Sequence, residues 1–264
     1  NWTLGWVAAV DFKRGGDRYA VQPRRNFGKL EKLHNGVVIG AVADGGEGAA
    51  RGHVGARTSV QAGLSVLGAE AEQLSTMLIG NARPTLEALF AKVTETVGEA
   101  VARVAAEERC ASADYAASLT VFFAGPFGLA AMQVGRSLLV YRPRGGDYGL
   151  VFEVADRPDG AECLTGADAV DKMRIGFTRG QIEFLCVASR AFEPALLEED
   201  DRLPLVPFFR PLDHYASGAL DDGDVHRGIR AFLRTSDASR NLEEDLTLAL
   251  CRYNPSSRMA LGLR

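Results

Sequence analysis

A carboxylate at the end of an apolar run is the feature of this sequence that most directly suggests chemistry. Residues 37–43 form an almost wholly apolar segment of strand-like length, Asp44 follows it, and four glycines crowd the next eight positions. Apolar runs bounded by glycine are typical of buried strands, so Asp44 is expected where such a strand reaches the surface. A carboxylate beside accessible peptide carbonyls suits a hard cation such as Mg²⁺ or Mn²⁺. A Gly-rich turn with an ordinary surface aspartate explains the same pattern.

Three further polar sites occupy the same kind of position next to an apolar run. Asp17 precedes one run, Arg190 follows another, and the acidic triplet Glu243-Glu244-Asp245 precedes a third. In a sandwich of sheets such strand ends can meet at one edge, and several acids gathered there need a cation between them. The alternatives are a turn aspartate at position 17 and a solvated polar cap at 243–245.

The elements expected to position these residues are strands before and after a pair of helices. Apolar residues recur at helical steps over residues 60–78 and 86–104, which predicts two amphipathic helices with a break between them. A shorter helix is predicted at 225–233, and strands are predicted at 2–10, 19–21, 37–43, 118–124, 128–134, 137–142, 148–154, 181–188 and 246–251. The remaining segments are predicted to be a hairpin loop at 23–36, a turn-rich stretch at 155–180 and a surface excursion at about 192–224.

This grouping of strands and helices predicts the fold class. Strands that precede and follow a helix pair, rather than alternating with helices, indicate an α+β fold with largely antiparallel sheets. The chain carries no internal repeat and no linker, so a single domain spanning residues 1–264 is expected.

Composition narrows the partners and the compartment. The chain has 264 residues, a net charge of −4 and a pI near 5.7, which argues against nucleic acid or an anionic membrane as the main partner. No apolar run approaches the length of about 18 residues that a membrane helix needs. The four cysteines are widely spaced without a CxxC pair, which favours reduced thiols and a cytoplasmic location. Because the sequence starts at Asn1 rather than Met, the chain is expected to be trimmed or to be cut from a longer one.

The ordered set of motifs resembles the type 2C, metal-dependent protein Ser/Thr phosphatases, particularly their divergent bacterial branch. The resemblance runs from about Gly5 to Tyr253 and is strongest at residues 41–48. It implies an α-β-β-α sandwich of two mainly antiparallel sheets flanked by helix pairs. It also implies hydrolysis of phosphoserine or phosphothreonine by a water bridged between two Mg²⁺ or Mn²⁺ ions. In this family the Asp of the Asp44-Gly45 pair bridges the ions, and the glycine carbonyl binds one of them.

Other positions of the family pattern are matched in part. Asp17 falls where the family closes an Asn-Glu-Asp motif, and Glu244 with Asp245 falls on its Asp-Asn-x-Thr motif, which implies catalytic and metal-binding roles for them. The phosphate-binding arginine of the family, five positions before Asp17, is Phe12 here. Lys13 or Arg14 is the candidate substitute.

Two aspartates of the family pattern have become arginines. Arg136 stands in the motif Val-Gly-Asp-Ser, and Arg190 stands in the motif Ser-Asp-Gly. Arginine stays protonated at physiological pH. A unit positive charge at about 4 Å from a divalent ion costs on the order of 8 kcal/mol at an effective dielectric of roughly 20. Two-metal hydrolysis needs both ions, so the fold is expected to survive while the usual chemistry fails.

The sequence leaves three hypotheses for the function of the protein. The first is a pseudophosphatase, a binding or regulatory module in Ser/Thr phospho-signalling in which Arg190 and Arg136 replace the metal or hold phosphate. Its partner would be a phosphorylated protein, such as a Ser/Thr kinase. The second is an active Mg²⁺- or Mn²⁺-dependent phosphatase with an atypical site holding at most one ion. The third is a scaffold that binds partners through residues 192–224.

Overall fold

Ten strands are present in the described part of the chain. The computed structural model describes residues 5–15, 23–154, 163–164, 169–198, 202–235 and 244–254. The strands are β1 (Trp6–Lys13), β2 (Asn26–Lys32), β3 (Val38–Asp44), β4 (Leu119–Gly125), β5 (Gly128–Val134), β6 (Leu138–Pro143), β7 (Gly149–Leu150), β8 (Arg174–Arg179), β9 (Ile182–Ala188) and β10 (Leu246–Tyr253).

Two long helices and five shorter ones accompany these strands in the described ranges. They are α1 (Gly52–Ala69), α2 (Ala71–Leu74), α3 (Ala82–Glu107), α4 (Ala169–Lys172), α5 (Glu193–Leu196), α6 (Val206–Ser217) and α7 (Asp222–Thr235). None of the described helices is long and apolar enough to cross a membrane.

The strands form two five-stranded antiparallel sheets. The first sheet has the order β1-β10-β9-β6-β7, and the second has the order β2-β3-β4-β5-β8. Every strand pairing within them is antiparallel. The predicted α+β class with antiparallel sheets is confirmed.

Alternation along the central strands explains how the sheets and helices form layers. In β3, Val38 and Val42 contact the core that contains residues of both sheets, whereas Ile39 and Ala41 contact the core beneath α1 and α3. Successive side chains of a strand point to opposite faces, so a strand apolar on both faces must be covered on both. A third core lies between the first sheet and α6 and α7. The layers are therefore helix, sheet, sheet, helix, as the resemblance implied.

The two helices predicted from their periodicity are present. The buried residues of α1 include Val60, Leu64 and Leu67, and those of α3 include Phe90 and Val97. The two helices pack against each other and cover the second sheet. The apolar stripe of each helix therefore faces one shared core, as the helical periodicity of the sequence predicted.

Several predicted boundaries differ from the structure. The hairpin loop predicted at 23–36 is wrong, because β2 lies within it. The stretch at 155–180, predicted to be turn-rich, contains β8 at its end. The strand predicted at 148–154 is reduced to the two residues of β7. Both β2 and β8 are edge strands, whose polar residues and partial exposure weaken the apolar signal. The strand predicted at 19–21 lies outside the described residues.

The surface excursion predicted at about 192–224 is also corrected. Its central part is α6, in which Phe208, Phe209 and Leu212 are buried against the first sheet. Pro207 near the start of this helix and Pro211 inside it, together with the acidic residues nearby, concealed the helical period in the sequence.

Candidate functional site

The end of β3 opens into a cavity of about 240 Å³. Five of the residues predicted from the sequence line it together: Asp44, Gly45, Arg190, Glu244 and Asp245. They come from three places that are far apart in the chain, namely the ends of β3 and β9 and the residues before β10. Three of the four predicted sites therefore meet at one edge, and the fourth, at Asp17, lies outside the described residues.

Backbone hydrogen bonds hold the Asp44 loop in place. The Ser118 N–H donates to the Asp44 carbonyl oxygen at 2.9 Å, and the Gly45 N–H donates to the Arg25 carbonyl oxygen at 2.9 Å. A Cβ atom on Gly45 would lie only 2.7 Å from the backbone carbon of Gly52 at the start of α1. Position 45 therefore requires glycine, because the loop passes directly against the first turn of α1.

Asp44 is the most strongly perturbed acid of the cavity. Its Oδ2 atom is inaccessible to solvent and has no hydrogen-bond partner among the described residues. Burial raises the pKa of Asp44 to about 6, the negative charges of Glu244 and Asp245 add to the rise, and the backbone N–H and charge of Arg190 oppose it. A carboxylate in this state binds a cation or a proton more readily than an exposed one.

Asp245 is engaged in holding the backbone around the cavity. Its Oδ1 accepts the Gly15 N–H at 3.0 Å, and its Oδ2 accepts the Arg25 N–H at 2.9 Å. One carboxylate therefore ties the chain after β1 and the chain before β2 to the start of β10. Metal binding by Asp245 would have to compete with these two bonds.

Hydrogen bonds to β10 fix the position of Arg190. The Thr247 N–H donates to the Ser189 Oγ at 3.0 Å, and the Ser189 N–H donates to the Thr247 carbonyl oxygen at 3.0 Å. The chain then turns so that Arg190 lines the cavity, and its charge opposes the rise in the pKa of Asp44. Arg190 is an exposed residue, and it lines the cavity where the family pattern has an aspartate.

Two residues of the cavity were missed by the sequence analysis. The Arg25 guanidinium donates to the Gly46 carbonyl oxygen. Asn26 is 3% exposed, and neither polar atom of its side chain has a partner in the described part of the chain. The signal was a polar pair at the start of β2, and it was overlooked because this segment was interpreted as a loop.

The remaining predicted residues lie elsewhere. Arg136 does not line the cavity; its guanidinium lies 3.4 Å from the carboxylate of Glu193, which also pairs with Arg202. Arg136 therefore lies with Glu193 rather than with the acids of the cavity. Arg14 is exposed and is not part of the cavity lining. Asp17 lies outside the described residues.

The described donors do not fit a paired-ion centre. In the described ranges no group of three or more His, Cys, Asp or Glu side chains is arranged to hold a metal ion. Both oxygens of Asp245 already accept backbone N–H groups, and Arg25 and Arg190 bring two positive charges to the same cavity.

The family of the protein follows from comparison with known proteins. A model of the protein phosphatase 2C family matches residues 20–234, so the chain belongs to that family. No curated protein sequence matches it significantly.

Solved structures share the fold at low sequence identity. The serine/threonine phosphatase PstP/Ppp of Mycobacterium tuberculosis is 12% identical with a TM-score of 0.59, over 95% of this chain and 100% of that one. PppA, a regulatory component of the T6SS in Pseudomonas aeruginosa, is 16% identical with a TM-score of 0.57, over 94% and 98%. RsbX, solved in complex with magnesium, is 10% identical with a TM-score of 0.53, over 95% and 96%. These likenesses show the phosphatase fold.

Proposed function

We propose that this protein is a pseudophosphatase, a catalytically inactive or strongly impaired phosphatase 2C domain that binds phosphorylated protein segments in Ser/Thr phospho-signalling. The observation that carries the proposal is the position of Arg190 in the cavity of Asp44, where the family pattern has an aspartate. A positive charge there repels a divalent ion and attracts a phosphate.

Arg25 supports the same reading of the cavity. Its guanidinium reaches the Gly46 carbonyl oxygen beside the Asp44 loop, so a cationic side chain already contacts the loop that carries the key aspartate. Arg25 and Arg190 are proposed to hold the phosphate, with Arg14 as a further candidate. Asp44, Glu244 and Asp245, together with Asp17, are proposed to be the remnant of the metal site.

The partner is proposed to be a phosphorylated signalling protein, such as a Ser/Thr kinase, in the cytoplasm. The test is calorimetric titration of one peptide in its phosphoserine and unphosphorylated forms. We expect binding of the phosphorylated form alone, and a loss of about tenfold or more in Arg190→Glu, because a charge-assisted contact is replaced by repulsion. The control is Arg210→Ala, which removes an exposed arginine on α6. Equal binding of both peptide forms would refute phosphate recognition.

A titration with Mn²⁺ tests the loss of the metal centre. We expect the wild type to bind at most one ion weakly, and Arg190→Asp to bind Mn²⁺ at least tenfold more tightly, because a repelling charge becomes a ligand. Tight binding of two ions per wild-type chain would remove the pseudophosphatase proposal.

The second candidate is an active Mg²⁺- or Mn²⁺-dependent phosphatase with an atypical site. The observation that favours it is the unpartnered Oδ2 of Asp44, beside Glu244 in the same cavity. Mn²⁺-dependent hydrolysis of p-nitrophenyl phosphate that Asp44→Ala abolishes would support this candidate. Absence of turnover on phosphopeptides at millimolar Mn²⁺ would count against it.

A further inference from the structure

Two arginine side chains stack on the rings of a pair of stacked phenylalanines beside the cavity. The rings of Phe12 on β1 and Phe27 on β2 stack with their centroids 6.4 Å apart. The guanidinium carbon of Arg24 lies 3.5 Å from the Phe12 ring centroid, and that of Arg57 lies 5.1 Å from the Phe27 ring centroid. We call these four residues the arginine platform. None of them lines the cavity of Asp44.

The platform concentrates positive charge on an otherwise acidic chain. Neither Arg24 nor Arg57 forms an ion pair within 4.0 Å of any carboxylate in the described ranges. Burial lowers the pKa of Arg24, and the neighbouring charges of Arg14 and Arg57 lower it further, whereas the carboxylates of Asp245 and Asp11 oppose them. Like charges held together in a chain of net charge −4 indicate a surface that attracts an anion.

Stacking on the rings also prepares the guanidinium groups for binding. A guanidinium packed on an aromatic face keeps its N–H groups free at the edges, in the planar fork that matches phosphate or carboxylate oxygens. Because the rings already restrict the side chains, less conformational entropy is lost when an anion binds. The platform therefore has the charge and the geometry of an oxyanion site.

The platform is continuous with the cavity. Arg24 Nε donates to the Asn26 carbonyl oxygen at 3.1 Å, and the next residue, Arg25, lines the cavity. Asp245 accepts the Arg25 N–H and interacts electrostatically with Arg24. Through Arg24, the platform therefore adjoins the residues that line the cavity at the start of β2.

We infer that the arginine platform is a second anion-binding site, which holds a phosphate or carboxylate of the same protein segment whose phosphoresidue enters the cavity. The inference rests on the proposed function and specifies its ligand as a segment with at least two negative groups. Its class is a multiply phosphorylated segment, or a phosphorylated segment with acidic neighbours. Phosphate and carboxylate groups share the oxyanion that the platform would bind. Inorganic phosphate is the probe that distinguishes binding of a simple anion from binding of a peptide.

The experiment compares a monophosphorylated peptide with a doubly phosphorylated peptide of the same sequence, by fluorescence polarisation. A series with one to five residues between the two phosphates covers the spacing. For the wild type we expect the second phosphate to tighten binding about tenfold at the best spacing, as a charge-assisted contact does. In Arg24→Ala/Arg57→Ala this gain should vanish, while affinity for the monophosphorylated peptide changes less than about threefold. Arg210→Ala, which removes one exposed arginine on α6, should keep the whole gain.

The outcomes separate this inference from the proposed function. If the wild type binds the monophosphorylated peptide and no second phosphate improves binding, the inference falls and the proposed function stands. If the double variant keeps the gain, the platform is not the site.

If inorganic phosphate binds through Arg24 and Arg57 but the second peptide phosphate adds nothing, the platform is only a simple anion site and the inference fails. If no phosphopeptide binds the wild type, both fall. If the gain depends on the platform but Arg190→Glu has no effect, the platform stands and the cavity assignment falls.

Discussion

Asn26 lies directly opposite Asp44 in the antiparallel ladder of β2 and β3, and both side chains carry buried polar atoms without partners in the described structure. Directly opposed residues of an antiparallel pair have their Cβ atoms about 5 Å apart. An uncharged amide therefore faces the carboxylate of Asp44. This pair makes the cavity polar and poorly satisfied, which is typical of a binding site rather than of a structural core.

Removing the charge of Asp44 should stabilise the protein in the absence of ligands. Asp44→Asn replaces a carboxylate whose Oδ2 atom is buried and unpartnered with a neutral group, so we expect the free energy of unfolding in EDTA to rise by roughly 1–3 kcal/mol. Asn26→Asp places a second carboxylate opposite the first and should lower it by a similar amount. Urea denaturation at neutral pH measures both. A lower stability of Asp44→Asn than of the wild type would contradict this account of the cavity.

The approach of α1 to the 3₁₀ turn at Ser112–Tyr115 should make Gly55 irreplaceable. A Cβ atom on Gly55 would clash with the backbone carbonyl oxygen of Tyr115. We expect Gly55→Ala to cost roughly 2–4 kcal/mol of stability, because backbone on both sides must move. Gly98→Ala is the matched control, since a Cβ at that position in α3 meets nothing within 4 Å. It should stabilise the protein by about 0.5–1 kcal/mol, and equal melting temperatures for the two variants would refute the prediction.

A buried ion network should anchor α6 to the first sheet. Asp213 is 5% exposed, accepts Arg142 Nε at 2.6 Å and the Tyr148 hydroxyl at 2.9 Å, and lies 2.8 Å from Arg252 Nε. Burial, followed by Asp213, raises the pKa of Tyr148 to about 12. Asp213→Ala leaves two arginines buried without this partner, so we expect a loss of roughly 3–5 kcal/mol.

Thermal and urea unfolding of Asp213→Ala measure this loss. The control is Glu87→Ala, which removes an exposed pair with Arg83 and should change stability by less than about 0.5 kcal/mol. Comparable losses in the two variants would show that the network contributes no more than a surface pair.

The contact between β1 and α7 should make stability depend on acid pH. Burial raises the pKa of Asp11, but the Phe12 N–H, Arg230 and His226 together outweigh it, so the pKa falls below its ordinary value of 3.8. A carboxyl with a depressed folded-state pKa adds stability that is present above the unfolded-state pKa and disappears as pH falls through the folded-state pKa.

Urea denaturation of the wild type and of Asp11→Asn, followed from pH 7 to pH 2, tests this dependence. We expect the wild type to be more stable at pH 5 to 7 and the difference to shrink below about pH 4. Removing Arg230 in Arg230→Ala should move the loss of stability to a higher pH. A difference that is unchanged between pH 7 and pH 2 would exclude a contribution from the ionised Asp11.

The sequence by itself determined the main elements and the centre of the site. The run before Asp44 is β3, and the periodic segments are α1 and α3, because alternation and helical period are local properties that a continuous stretch of chain displays. The motif at Asp44-Gly45 also located the cavity, since a glycine-rich loop after a buried strand leaves its residues at the sheet edge.

The tertiary structure alone decided which side chains share the cavity. Arg190 and Glu244 lie in the same cavity as Asp44, although each is more than a hundred residues away in the chain. Arg25 and Asn26 line the cavity at the start of an edge strand that the sequence analysis did not detect. Arg136 pairs with Glu193 instead. Such neighbours are set by strand order and register, which long-range packing selects and local sequence patterns do not reveal. The sequence shows which charged residues are present, but only the pairing of the strands brings them into one cavity.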